Sequence, residues 1–176
     1  PKPFRKTIYI GSAGGGVWKT SNAGIPWHSI SDSLGNGSIG DIAIAPSDSN
    51  VIWVGTGEKN SSRSTLWGNG VHKSTDGGRK WQHMGLTDTR SIAKIVISPT
   101  DPNTVYVAAL GHLWGPNAER GVFKTTNGGT SWSKVLFVDD TTGAVDLAMD
   151  PSNPEVLYAA MWHRMREGGS HMQGAG

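Results

Sequence analysis

Apolar residues fall along this chain in short runs, each closed by turn formers. Ile42-Ala43-Ile44-Ala45-Pro46, Ile95-Val96-Ile97-Ser98-Pro99 and Leu147-Ala148-Met149-Asp150-Pro151 are three copies of one such run, with prolines 53 and 52 residues apart. Polar clusters such as Ser47-Asp48-Ser49-Asn50 and Thr100-Asp101-Pro102-Asn103 follow, and then apolar segments carrying Trp53, Tyr106 and Tyr158. No segment keeps the period of an amphipathic helix, so the pattern predicts strands throughout.

A second motif interleaves with the first. It reads Gly16-Val17-Trp18-Lys19-Thr20-Ser21-Asn22-Ala23-Gly24, then Gly70-Val71-His72-Lys73-Ser74-Thr75-Asp76-Gly77-Gly78, then Gly121-Val122-Phe123-Lys124-Thr125-Thr126-Asn127-Gly128-Gly129. A tryptophan closes each copy, and Trp27, Trp81 and Trp132 are spaced by 54 and 51 residues. The unit between Ile39 and Leu86 then reads as four short antiparallel strands near 40–45, 51–56, 70–75 and 80–84. Four strands per repeat of about 52 residues is the pattern of a propeller blade. The expected fold is all-β: a β-propeller segment of four-stranded antiparallel blades, with a partial blade at 1–36, blades at 37–88 and 89–141, and a partial blade at 142–176.

Thirteen strands can be placed, about three and a quarter blades, whereas closed propellers have roughly four to eight. The array is therefore expected to be part of a longer propeller, its partners being the remaining blades of the same chain or, as the lesser option, further copies of itself.

The hairpin turn in each copy needs no chemistry beyond folding. In the sets Thr20-Asn22-Gly24-Trp27, Ser74-Asp76-Gly78-Trp81 and Thr125-Asn127-Gly129-Trp132, the Asp or Asn side chain can accept hydrogen bonds from turn amides. Glycine supplies a positive φ, and the tryptophan is expected to fold over the base of its own hairpin.

Composition changes the picture little. The 25 glycines among 176 residues fit a turn-rich chain, and no run approaches the roughly 20 apolar residues of a membrane-spanning helix. The net charge of +2 comes from scattered Lys and Arg, with no basic run for nucleic acid. Without cysteine there are no disulfides or thiolate metal sites, and the six histidines show no metal-ligand spacing, so neither a metal nor a cofactor is expected. His72 stands where the other copies have Trp18 and Phe123, as a strand residue would. Gly14-Gly15-Gly16 lacks the Lys-Ser ending of a phosphate loop.

At its repeated motifs, IYIGSAGGGVWKTSNAG and GVHKSTDGGRKW, the chain resembles the Asp-box, or bacterial neuraminidase repeat, propellers, and among them the sortilin-like bacterial proteins often labelled glycosyl hydrolases. That group mixes sialidases, xyloglucanases, sorting receptors and photosystem assembly factors, so the resemblance specifies a fold more than an activity. Its exported members imply a secreted or periplasmic setting. Xyloglucanase-like members carry a catalytic aspartate in a T-D-x-G-G element, where this chain has Ser12-Ala13-Gly14-Gly15. Phe4-Arg5-Lys6 echoes the F-R-I-P element of sialidases without its Ile-Pro.

Residues that recur in every blade serve the scaffold, so function is sought where the repeat breaks. Alignment on Tyr9, Trp53, Tyr106 and Tyr158 sets Glu58 opposite Gly14, Gly111 and His163, the one carboxylate among four equivalent positions and the candidate catalytic acid. Its loop continues through Arg63 and Trp67, and the next blade's loop offers His112, Trp114 and Arg120. Tryptophan for stacking on sugars or packing on peptides, and arginine for carboxylates, make these the candidate ligand-binding residues. Asp41, Lys94 and Asp146 recur at the entry to the innermost strand, where pairing between blades or simple solvation is expected rather than catalysis. The main expectation is a scaffold that binds a peptide, protein or glycan through its long-loop face; the alternatives are a glycoside hydrolase with its second carboxylate in further blades, and an assembly factor for a membrane complex.

Overall fold

The computed structural model describes residues 6–60 and 65–166. Four antiparallel sheets follow one another along the chain. The first contains β1 (Ile8–Ser12), β2 (Gly16–Thr20) and β3 (His28–Ser29), and the second β4 (Ile39–Ala45), β5 (Asp48–Thr56), β6 (Val71–Ser74) and β7 (Gln82–His83). The third contains β8 (Ile92–Ile97), β9 (Val105–Ala109), β10 (Gly121–Thr125) and β11 (Ser133–Leu136), and the fourth β12 (Thr142–Met149) and β13 (Leu157–His163). Strands adjacent in sequence are adjacent in each sheet, and the described residues contain no α-helix, only 3-10 turns at Asp32–Leu34 and Thr87–Thr89. The molecule is all-β, a partial propeller.

The apolar runs face the neighbouring sheets. Val17, Leu34, Ile39 and Val54 fill the space between the first and second sheets. Trp53, Ile92, Ile95, Val107 and Phe123 fill that between the second and third, and Ala93, Tyr106, Ala108, Ala144 and Leu147 that between the third and fourth. Each innermost strand has a bulge at the same place, at Gly40, Ala93 and Val145, where the register shifts. The bulge turns the next residue toward the neighbouring blade. Asp41 uses it: its Oδ2 accepts the Ile95 N–H at 2.8 Å and lies 3.5 Å from Lys94 Nζ, so of the two readings this residue takes the pairing between blades. Asp146 instead accepts its own neighbour's N–H, from Leu147.

The hairpin turns use one bonding scheme three times. The hydroxyl of Thr20, Ser74 or Thr125 donates to the Asn22, Asp76 or Asn127 side chain and accepts the N–H of Gly24, Gly78 or Gly129. The Lys80 N–H above all, with the Ser74 hydroxyl and the Arg79 N–H, donates to the Asp76 carboxylate and holds its carboxyl below the ordinary range. The rings of Trp27 and Trp81 lie beside Gly24 and Gly78 of their own turns, and Trp81 and Trp132 also reach further. Trp81 donates its indole N–H to Ile30 O at 2.6 Å, and Trp132 to Met84 O at 2.7 Å, both acceptors in the preceding sheet. The staple at Trp81 and Trp132 therefore also joins blade to blade, because the indole is long enough to cross the gap between sheets and donate its N–H to a carbonyl there.

A second ladder runs the other way. On each complete strand pair the strand-three lysine sits over the strand-two aromatic ring: Lys19 over Tyr9, Lys73 over Trp53 and Lys124 over Tyr106, at 5.0 to 5.2 Å. Lys19 Nζ reaches on to Gly77 O at 2.8 Å, and Lys73 Nζ to Gly128 O at 3.3 Å, each in the turn of the following sheet.

Candidate functional site

Opposite the stapled turns, the long strand-two to strand-three loops meet the linkers between sheets. The loop after β5 begins at Gly57, where both a left-handed φ of +93° and the nearness of the Arg90 carbonyl, which a side chain would strike, call for glycine. Glu58 closes the loop on itself: its N–H donates to Leu66 O at 2.9 Å, and its Oε2 accepts the Leu66 N–H at 3.3 Å. Gly68 N–H donates to Arg90 O, and Trp67 O accepts from Asn36, so both flanking linkers hold the loop. Trp67 is left 52% exposed with the Arg90 guanidinium 5.2 Å from its ring. Arg90 itself sits at φ +60°, a strained position for a side chain of its size.

The loop after β9 is built around Arg120. This residue, expected at the ligand, is instead fully buried, and its guanidinium donates to the carbonyls of Leu110, His112 and Gly115. A short loop with several inward carbonyls needs donors, and a guanidinium supplies them in one planar group. Burial lowers the affinity of Arg120 for its proton, and Asp139 and Asp140 oppose that shift. His112 is tied to Asp88 O at 3.0 Å. Trp114 remains 48% exposed, with the Arg166 guanidinium 5.5 Å from its ring, and Arg166 N–H donates to Leu113 O.

Buried Arg164, from the end of the fourth sheet, completes the floor. Its pKa is pushed down to about 10, first by burial, then by Arg120 and Arg166, while Glu58 pulls it back up. Glu58 and Arg164 thus feel each other although their strands belong to the second and fourth sheets. The result is a face with two exposed indoles, an arginine on each, and a carboxylate whose charge reaches a buried guanidinium. Such a surface can stack on planar or ring-shaped groups and hold anionic or hydroxyl-bearing ones. Glu58, Trp67, His112 and Trp114 share this face; Arg63, Phe4 and Arg5 lie outside the described residues. Among the described residues no three His, Asp or Glu side chains converge as metal ligands would.

Sequence reasoning missed Arg90, Arg164 and Arg166. Arg164 was within reach, since the alignment that isolates Glu58 sets Arg164, one position further, opposite Gly15, Lys59 and His112. Arg90 carried no signal, because only the fold places that linker under Trp67.

The second sheet also braces its loop with a histidine pair. His72 and His83 pack edge to face at 5.0 Å, and both bond to Asn69, at the side-chain and backbone oxygens. Burial, and then the His83 charge, hold the His72 pKa at about 4 against an ordinary 6.5. The native state therefore favours the neutral ring. Its contribution is complete above about pH 6.5 and is lost as the pH falls toward 4. Urea titrations of His72→Phe and the parent should show the parent losing about 1–2 kcal/mol more than the variant between pH 7 and 4.5.

No family model matches the chain, and no curated protein matches its sequence. Solved structures do. An ancestral GH74 enzyme aligns with a TM-score of 0.70 and 26% identity, over 94% of this chain and 23% of that one. The GH74 enzyme of Niastella koreensis aligns at 0.67 with 23% identity, over 88% and 23%. YCF48, solved bound to a D1 peptide, aligns at 0.55 with 14% identity, over 85% and 43%. These likenesses agree with the β-propeller fold, and the chain spans about a quarter of the length of the GH74 enzymes it matches.

Proposed function

We propose that this chain is a propeller scaffold of the Asp-box type that binds a peptide, protein or glycan through its long-loop face. The observation that carries the reading is the pair of indoles, Trp67 and Trp114, exposed on loops that are otherwise tied down by backbone bonds and buried arginine. Folding gains little from leaving two such surfaces in water, and a ligand gains much from them. Likeness to a propeller solved with a peptide and to glycoside hydrolases supports both ligand classes. The small share of the GH74 chains that is covered supports taking these sheets as part of a larger ring, completed by further blades or by another copy. An extracytoplasmic setting goes with the same reading.

Xyloglucan oligosaccharides and short peptides, titrated by indole fluorescence, test it. Trp67→Ala and Trp114→Ala should each weaken the ligand that binds by about tenfold or more, with the unfolding midpoint little changed. A ligand bound equally well by both variants would refute the face as the site.

The second reading, a glycoside hydrolase using Glu58 as acid with a partner carboxylate in further blades, draws on the GH74 likeness. Glu58→Gln separates the two readings. Lost turnover of aryl glycosides with folding intact favours the enzyme, and retained binding with no turnover in the parent favours the scaffold. An assembly factor for a membrane complex would be a case of the scaffold reading, with a membrane-protein segment as its peptide.

A further inference from the structure

The three aromatic-lysine pairs occupy equivalent slots between sheets, but the slots are not equally filled. Between the second and third sheets the ring is Trp53, which is fully buried and meets Trp132 edge to face at 6.0 Å. Between the first and second sheets the ring is Tyr9, and an open groove of about 790 Å³ remains on the stapled-turn face. Such a volume is ligand-sized.

The lining of this groove carries more positive than negative charge. Lys6, Lys19 and Arg79 stand against the single carboxylate of Asp76. That carboxylate is already committed, since its Oδ1 accepts from Ser74 and from the N–H groups of Arg79 and Lys80. Lys19 spends one N–H on Gly77 O and keeps the rest of its charge for the groove. Tyr9, Ile44 and Pro46 supply apolar lining, with Ile44 exposed to solvent. The corresponding space beside Tyr106, between the third and fourth sheets, sets Lys124 against Asp101 and Glu155, so the positive groove breaks the repeat.

We infer that this groove binds an acidic polypeptide segment in extended form, at a site separate from the long-loop face. An extended chain presents successive side chains to opposite sides. Acidic and apolar residues in alternation therefore satisfy the cations and the Tyr9–Ile44–Pro46 lining together, which an inorganic anion or a purely polar polyanion does not.

The test is fluorescence anisotropy with a short labelled peptide of alternating Glu and Leu, a Gln/Leu control, and oligogalacturonate and inorganic phosphate as competitors. The Glu/Leu peptide should bind and the control should not, with affinity falling as salt rises. Arg79→Glu, by charge reversal, and Tyr9→Trp, by filling the groove with the ring that position 53 already carries, should each weaken it by about tenfold. Lys80→Glu, next to the groove but not lining it, should stay within about twofold. Far-UV circular dichroism and urea midpoints establish that the variants are folded. No peptide binding, equal binding by Arg79→Glu and Tyr9→Trp, or binding of phosphate or oligogalacturonate in place of the peptide would overturn the inference.

Discussion

Gly40→Ala should strongly destabilise the folded state, with a loss of about 3–4 kcal/mol in urea unfolding. The substitution is ordinarily mild. Where the backbone angles suit any residue, an added methyl group narrows the unfolded ensemble and stabilises by about 0.4–1 kcal/mol. Gly40 is not among the glycines held at positive φ, so strain is not the obstacle. Space is. It lies at the bulge of β4, and a Cβ would run into the Ile92 carbonyl oxygen of β8 and approach the Gly57 carbonyl. Both are backbone atoms that cannot rotate away, so the second and third sheets would have to separate. Ala93 and Val145, at the matching bulges, carry side chains without harm, which ties the effect to this one contact. A midpoint equal to or above that of the parent would show that the sheets can part at little cost.

Trp132→Ala should have an effect of similar size, about 3–4 kcal/mol. The indole reaches into the preceding sheet, donates to Met84 O and packs edge-on against buried Trp53. Its removal leaves a cavity, an unpaired carbonyl and Trp53 without its partner. Trp132→Phe separates these contributions, because it restores the ring contact and omits the N–H; about 1 kcal/mol of loss should persist. Gly129 adds a check on the same seam, since a side chain there would press on Trp53 and Met84 while its φ of +93° adds strain. If Trp132→Ala lost no more than a surface substitution, about 0.5 kcal/mol, the tryptophan staple would not hold the blades together.

The strand plan was readable because it is local. The predicted strands at 40–45, 51–56, 70–75 and 80–84 correspond to β4 through β7, and only β7 is clearly shorter than its pattern. The turn chemistry was readable for the same reason, since Thr20, Ser74 and Thr125 act on amides a few residues away. The destination of the tryptophans was not, because their acceptors lie 51 and 48 residues back and only sheet packing brings them close.

The candidate site divides similarly. Broken repeat symmetry singled out Glu58, Trp67 and Trp114, which share one face with the indoles exposed. It could not tell Arg120, whose guanidinium is consumed by three carbonyls of its own loop, from Arg90 and Arg166, which lie against the exposed indoles. An arginine in a loop has the same letter whether it faces solvent or the loop's interior.

By itself, then, the sequence determined the all-β class, the repeat length, the strand order within each sheet and the hairpin turns, all of which rest on interactions between near neighbours. Tertiary structure alone decided which blade Trp81 and Trp132 clasp, which arginines are buried, that the charge of Glu58 reaches Arg164, and which inter-blade slot stays open. Arg120 apart, which its own loop encloses, these depend on residues far apart along the chain, whose meeting is set by the stacking of sheets and leaves no mark in any local pattern of residues.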